Sequence, residues 1–261
     1  MRKARPATSP LFLVFLLLLA IPVGLAAYSH VRIVRLSLVE GEVYVARPGE
    51  AEWTRGVVNL PLVHDAVVET VNGVAEVEFE SGAFVRLATD ARLHLAELGL
   101  LDTGGRVTQL SLERGTATFY AKLRDDDSFI VLTPYFQVSV AKRAKFRVDL
   151  TAAGGRVRVF TGQVNVDSPA GTLALSKDRM FEWYATSAEY LLARNPDRDA
   201  WDEWNDDRDD VVHAKLHDAI PAYLTYGLHD LAHYGYWRYL PSFGQVWLPW
   251  VGPGWVPFMY G

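Results

Sequence analysis

The chain has 261 residues, a formal net charge of −5 and no cysteine. That length allows one or two domains with a buried core. The absence of cysteine excludes disulfide staples, thiolate metal sites and thiol nucleophiles. A nucleic-acid partner is not expected, because no dominant basic face is evident.

Arg2, Lys3 and Arg5 precede an unbroken apolar run over 11–19, and Pro22, Gly24, Ala26 and Ala27 follow. A positive flank, a short apolar core and small residues describe a secretory signal peptide over 1–27. The alternative is an uncleaved anchor, since the apolar stretch to Ala27 is at the lower limit for spanning a bilayer. In both cases the remainder is expected outside the cytoplasm, periplasmic or secreted. In the second case the N-terminal segment tethers it to the inner membrane.

From Val31 to Tyr184 apolar and polar residues alternate, with Gly, Asn or Asp at each break. This is the period of half-buried strands. Strands are expected over 31–38 and 42–46, then 66–71 and 74–80. Asn72-Gly73 is the clearest hairpin turn, since both central positions favour positive φ. Trp53, alone in a polar stretch, is expected to plug one end of the core. Further short strands are expected over 83–87, 92–95, 107–112, 116–121, 128–133, 136–140, 145–150, 157–160, 163–166, 173–175 and 181–184. With no strong helix between them, they imply a mainly β fold: an antiparallel sandwich or barrel, or a β-solenoid.

Composition changes near Tyr190. A linker over 186–218 holds an amphipathic helix from Asp199 to about Leu216, docked by Trp201 and Trp204 with a solvated acidic face. Its Asp-Asp-Arg-Asp-Asp run lacks the glycine and spacing of a calcium loop. The tail over 219–261 is aromatic. Tyr239-Leu240-Pro241, Trp247-Leu248-Pro249 and Trp255-Val256-Pro257 recur at a spacing of eight, which suits a short strand plus a turn.

The chemistry-bearing residues are sparse. His213 and His217, and again His229 and His233, stand four apart and could share a zinc ion if brought together, although Pro221 and Gly227 separate the pairs. No serine sits in a nucleophile elbow, and Gly154-Gly155 lacks the lysine and helix of a phosphate loop. Glu40 and Glu42 suit a solvated strand face better than an acid/base pair. Neither a cofactor nor a catalytic centre is expected. The tail rings Trp237, Tyr239, Trp247, Trp250 and Trp255 could stack on sugars or fill a partner's pockets, or could instead form the core of a small module.

Several motifs occur in a telling order: Gly41-Glu42-Val43, Trp53, Asp65 with Glu69-Thr70, Phe79 with Ser81-Gly82, and Val85-Arg86-Leu87. Leu110-x-Leu112-x-x-Gly115, Thr133-Pro134, Phe146-Arg147-Val148 and Val159-x-x-Gly162-x-Val164 continue the order. Over roughly 38–183 the chain resembles the FecR domain family. The resemblance implies an extracytoplasmic all-β domain, placed here over 31–185, without catalytic residues. Some members relay an envelope signal to a sigma factor through a cytoplasmic N-terminal segment. Only about ten residues precede the apolar run here, so sigma-factor control by this chain is not expected. The tail resembles a Trp/Tyr/Pro-rich domain found after FecR-like domains in secreted bacterial proteins. The expected role is non-catalytic binding or scaffolding in the cell envelope, with an envelope protein or cell-wall glycan as partner. The alternatives are a membrane-anchored relay component and, third, a cell-wall polysaccharide hydrolase.

Overall fold

The computed structural model describes residues 32–50, 52–213 and 231–252. The N-terminal segment, His217, His229 and Trp255 lie outside them. In chain order the strands are β1 (Val34–Ala46), β2 (Thr54–Arg55), β3 (Pro61–Leu62), β4 (Val67–Phe79), β5 (Phe84–Leu87), β6 (Arg92–Leu100), β7 (Arg106–Lys122), β8 (Ser128–Leu132), β9 (Gln137–Thr151), β10 (Gly154–Ser168), β11 (Gly171–Ser176), β12 (Arg179–Tyr184) and β13 (Glu189–Arg194). Helix α1 (Ala200–His213), helix α2 (Leu231–Tyr234) and the strands β14 (Gly235–Leu240) and β15 (Gly244–Pro249) follow. The protein is mainly β.

The elements differ from the expected series of short hairpins. β1, β4, β7, β9 and β10 are single strands of 13 to 17 residues. Each runs on through a gap between two of the expected short strands. Asn72-Gly73 is the plainest correction. Glu40, Gly41 and Glu42 pair with Val74, Gly73 and Asn72 in continuous register, so the chain bends there and does not reverse. The physical reason is that a turn and a strand bend make the same demand on φ. Gly41 has φ +74°, and a Cβ on it would lie 2.3 Å from the Asn72 carbonyl oxygen. Gly162 repeats this in β10 with φ +75°, where a Cβ would lie 1.9 Å from the Arg143 carbonyl oxygen. Register shifts accompany both bends.

The bends fold one large sheet over on itself, barrel-like. On one side of its bend β4 pairs with β5, on the other with β6. β7 likewise pairs with β5 and β6, and β10 with β12 and β11. The two halves of each long strand therefore belong to two facing layers. One layer reads β1-β4-β5-β7-β9-β10-β12-β13. β8 lies in the other, antiparallel to β9 but parallel to β7.

The alternation of the sequence places Val77, Phe79, Val85, Leu87, Ala117, Phe119, Phe146, Val148, Val157 and Phe181 on the inner side, all buried. Phe119 stacks on Phe146 with ring centres 5.0 Å apart, and Phe79 meets Phe129 of the facing layer edge-on at 6.4 Å. Each such ring stabilises the fold by about 1.5–3 kcal/mol through burial. Trp53 is not part of this core: it is 40% exposed, with the Arg92 guanidinium over its ring at 5.1 Å. The sheet also runs beyond residue 185, because β13 pairs along β12 to Arg194.

Candidate functional site

The outer side of the β4-β5-β7-β9-β10 layer carries the most concentrated chemistry. Glu76, Arg86, Thr118, Arg147 and Arg158 are cross-strand neighbours in one unbroken row. Lys145 stands two positions along β9. Each basic residue sits between buried apolar neighbours, as Val85-Arg86-Leu87, Phe146-Arg147-Val148 and Val157-Arg158-Val159. An ordinary outward-facing row would be wet, but here Glu76 is 0% and Arg158 3% exposed.

Helix α1 is what covers them. Asp199 caps it: its Oδ1 accepts from the Asp202 amide at 3.0 Å, and Asp202 Oδ2 accepts back from the Asp199 amide at 3.4 Å. This is a reciprocal cap built from two carboxylates. The two acids also face the sheet. Arg147 Nη1 donates to Asp199 at 2.8 Å and to Asp202 at 2.9 Å, and its Nε donates to Asp149 at 2.7 Å. Arg158 Nη2 reaches Asp202 at 3.1 Å and Asp199 at 3.5 Å. Lys145 Nζ donates to Asp206 at 2.8 Å and Asp209 at 2.5 Å. Arg86 donates to Asp209 at 2.6 Å, to the Asn205 carbonyl at 2.8 Å and to Glu76 at 2.7 Å. Arg208 returns the exchange, donating to Glu76 at 2.8 Å.

These contacts shift the acids in a consistent direction. Burial pushes the Glu76 carboxyl up, but Arg86 and Arg208 outweigh it and hold the group at about 2. Partial burial also raises Asp199, and its bonds to Arg147 and the Asp202 amide bring it below the usual carboxylate value. Arg147 is held more firmly protonated still: burial opposes its charge, while Asp149, Asp199 and Asp202 favour it.

The expected solvated acidic face is one side of the helix only, where Glu203, Asp207 and Asp210 are exposed. The opposite side is acidic as well: Asp199, Asp202, Asp206 and Asp209 pair with the cations of the sheet, and Asp202 is 2% exposed. The reason is that the sheet beneath offers cations where a helix normally meets apolar side chains. Trp201 and Trp204 stack on each other at 4.9 Å, half-buried, and Trp201 Nε1 donates to Thr118 at 3.0 Å. The basic row was missed in the sequence, although charged residues centred in three apolar strand triplets were a visible signal for it.

The tail residues are placed as follows. β14 and β15 form an antiparallel hairpin in which Trp237 is opposite Trp247. Both are half-buried; Trp247 Nε1 donates to the Leu231 carbonyl at 3.1 Å. Tyr239 is 63% and Trp250 60% exposed, alongside Tyr236 and Phe243. His213 and His233 fall in α1 and α2, and the partners needed for a four-histidine site lie outside the described residues. Among the described residues no group of three or more His, Asp or Glu is placed to hold a metal. A hollow of about 150 Å³ is lined by Asp149, Arg156, Glu182 and Trp183, among others. Its two carboxylates are already engaged, Glu182 by Arg156 at 2.7 Å and Asp149 by Arg147.

A mainly β extended-strand domain with a helix-covered cationic row is the class that fold and site define. Residues 65–165 match the family model described as FecR protein. This stretch runs from just before β4 well into β10; α1 and the tail lie beyond it. No curated protein matches the chain. The solved structures similar to it include two of candidate anti-sigma factors from Parabacteroides distasonis ATCC 8503. The first, at 1.65 Å, is 22% identical with a TM-score of 0.43, and the match covers 49% of this chain and 59% of that one. The second, at 2.50 Å, is 18% identical with a TM-score of 0.44, covering 69% and 96%. The chain thus spans a little over half the length of the first.

Proposed function

We propose that this chain is a non-catalytic, extracytoplasmic binding protein of the bacterial cell envelope, in which a FecR-type domain acts through contact with another protein. The match of residues 65–165 to the FecR family carries this reading. The site chemistry agrees with it: the acids and bases of the outer layer neutralise one another across a helix–sheet interface and do not converge on an open cleft. The exposed rings of Tyr236, Tyr239, Phe243 and Trp250 supply a second contact surface, suited to a protein pocket or a cell-wall glycan.

The same family match also favours a membrane-anchored relay component, in which segment 1–27 is retained as a tether. No helix among the described residues is long and apolar enough to cross a membrane, and that segment lies outside them. Mass spectrometry of the exported chain separates the two versions. A start near Ala27 gives the free binding protein, and retention of Met1 gives the tethered one.

Affinity capture from solubilised envelopes, with isolated cell-wall glycan as a parallel bait, tests the proposal itself. Retention of a defined envelope protein is the expected result. Retention of glycan alone would move the function to the tail. Turnover of wall polysaccharide, lost on replacing one carboxylate, would overturn the non-catalytic reading.

A further inference from the structure

We propose that the cationic row Arg86–Lys145–Arg147–Arg158 is a receptor for an acidic helix of a partner protein, and that α1 is the occupant it carries in cis. The inference builds on the protein-contact reading above and names the chemistry of the partner.

Three observations carry it. The first is geometric. Asp199, Asp202, Asp206 and Asp209 recur at i, i+3, i+7 and i+10, one face of a helix. A helix advances about 5.4 Å per turn, and neighbouring strands lie about 4.8 Å apart. A helix laid across the strands therefore meets roughly one cation-bearing strand with each turn. The contacts follow this order: Asp202 on Arg158 of β10, Asp206 on Lys145 of β9, Asp209 on Arg86 of β5, and Arg208 on Glu76 of β4. Any acidic helix with that spacing meets the same complement.

The second observation is the kind of adhesion. The contacts that anchor α1 are largely ion pairs; its two tryptophans stack on each other, and Trp201 bonds Thr118. Buried ion pairs must repay the loss of water from both charges, so they confer selectivity more than net stability. An interface held this way yields to a competing acid far more readily than one held by apolar side chains.

The third is an incomplete fit. Arg158 Nε is buried without a hydrogen-bond partner, as is Asp149 Oδ2, 3.9 Å away. The two form an ion pair within the sheet that is too long for a hydrogen bond, so docking of α1 leaves the row imperfectly satisfied. The row itself lies within the stretch that matches the FecR family model, whereas α1 lies outside that match.

The test uses the full chain and a fluorescein-labelled peptide of residues 197–213, with both tryptophans replaced by phenylalanine. In the triple variant Asp202→Asn, Asp206→Asn, Asp209→Asn the cis helix keeps its shape and its cap at Asp199 and loses three of the four carboxylates that face the row. The variant is expected to bind the peptide at least tenfold more tightly than the unaltered chain, with affinity falling steeply as salt rises. Adding Arg147→Ala should return binding to background. A folded triple variant that binds no better than the unaltered chain, or binds regardless of Arg147, would overturn the proposal. If the triple variant does not fold, the unaltered chain is titrated with excess peptide while the Trp201–Trp204 exciton signal is followed by circular dichroism. Loss of the signal with the acidic peptide, but not with an asparagine version, supports the receptor; an unchanged signal refutes it. Failure here leaves the envelope-capture result standing, so the two readings fail separately.

Discussion

Two regions of this protein reverse the usual relation between residue type and exposure. Beneath α1, charged side chains are buried: Glu76, Arg158 and Asp202 are almost inaccessible to water. On the tail hairpin, large rings are exposed, with Phe243 at 78% and Tyr239 at 63%. The difference lies in what each surface meets. The sheet row is satisfied by a second element of the same chain, whereas among the described residues nothing covers the outer rings of the hairpin. Burial alone is therefore a poor guide to where binding occurs. The question to ask of each surface is whether its present partner is exchangeable.

The largest expected effect is in the buried row. Glu76→Gln leaves Arg86 and Arg208 facing a neutral group in a dry site. Removing one partner of a buried pair costs about 3–5 kcal/mol, and urea unfolding should show a loss in that range. A loss below about 1 kcal/mol would mean that the row is wetter than its geometry implies, and the contrast with the tail would fall.

Acid should produce the next effect. The folded Glu76 carboxyl ionises at about 2, below its ordinary value, and Asp199 shifts in the same direction. As pH falls, the unfolded chain takes up protons first, so stability declines. The contribution of Glu76 is complete above the ordinary glutamate range near pH 4.5 and is lost as pH drops through about 2. The gap between the parent and Glu76→Gln in urea melts should be widest near neutrality and should shrink through that window. A constant gap would show that the charge on Glu76 is not what stabilises the fold.

Trp201→Phe probes the seam between helix and sheet. It removes the bond to Thr118 and weakens the stack on Trp204. About 1 kcal/mol is expected from a neutral hydrogen bond, with a clear loss of the exciton signal. An unchanged global melt would show that this seam adds little to the stability of the fold as a whole, which sharpens the comparison in favour of exchange.

Much of this architecture was legible locally. Alternation over 31–184 identifies the strands and their inner faces, and the acids of the first turn mark the start of α1. The bends were not legible. Gly41 and Gly73 face each other in one ladder, and only knowledge of that register distinguishes a bent strand from two strands and a turn. The clasp was hidden for a different reason. Arg86 and Asp209, or Arg147 and Asp202, are far apart in sequence, and neither the basic triplets nor the acidic helix reveals the other by its own spacing. A solvated face and a face buried on charge have the same helical pattern.

The smallest effect is expected in the tail, and it is the most discriminating. Exposed substitutions away from caps and cores change stability by about 0.5 kcal/mol or less. Tyr239→Ser and Phe243→Ser should therefore leave the melt unchanged, because neither ring is enclosed. Trp247→Ser should behave differently. Its ring lies where a Cβ on Gly235 would approach it to 2.6 Å, and its indole nitrogen donates to Leu231. Within one hairpin the first two rings then report on binding and the third on folding. If all three leave stability unchanged while Tyr239→Ser abolishes retention of an envelope partner, the hairpin is a contact surface throughout. If Tyr239→Ser destabilises the chain as much as Trp247→Ser, the exposed rings are a core whose covering lies outside the described residues, and the contrast with the buried charges disappears.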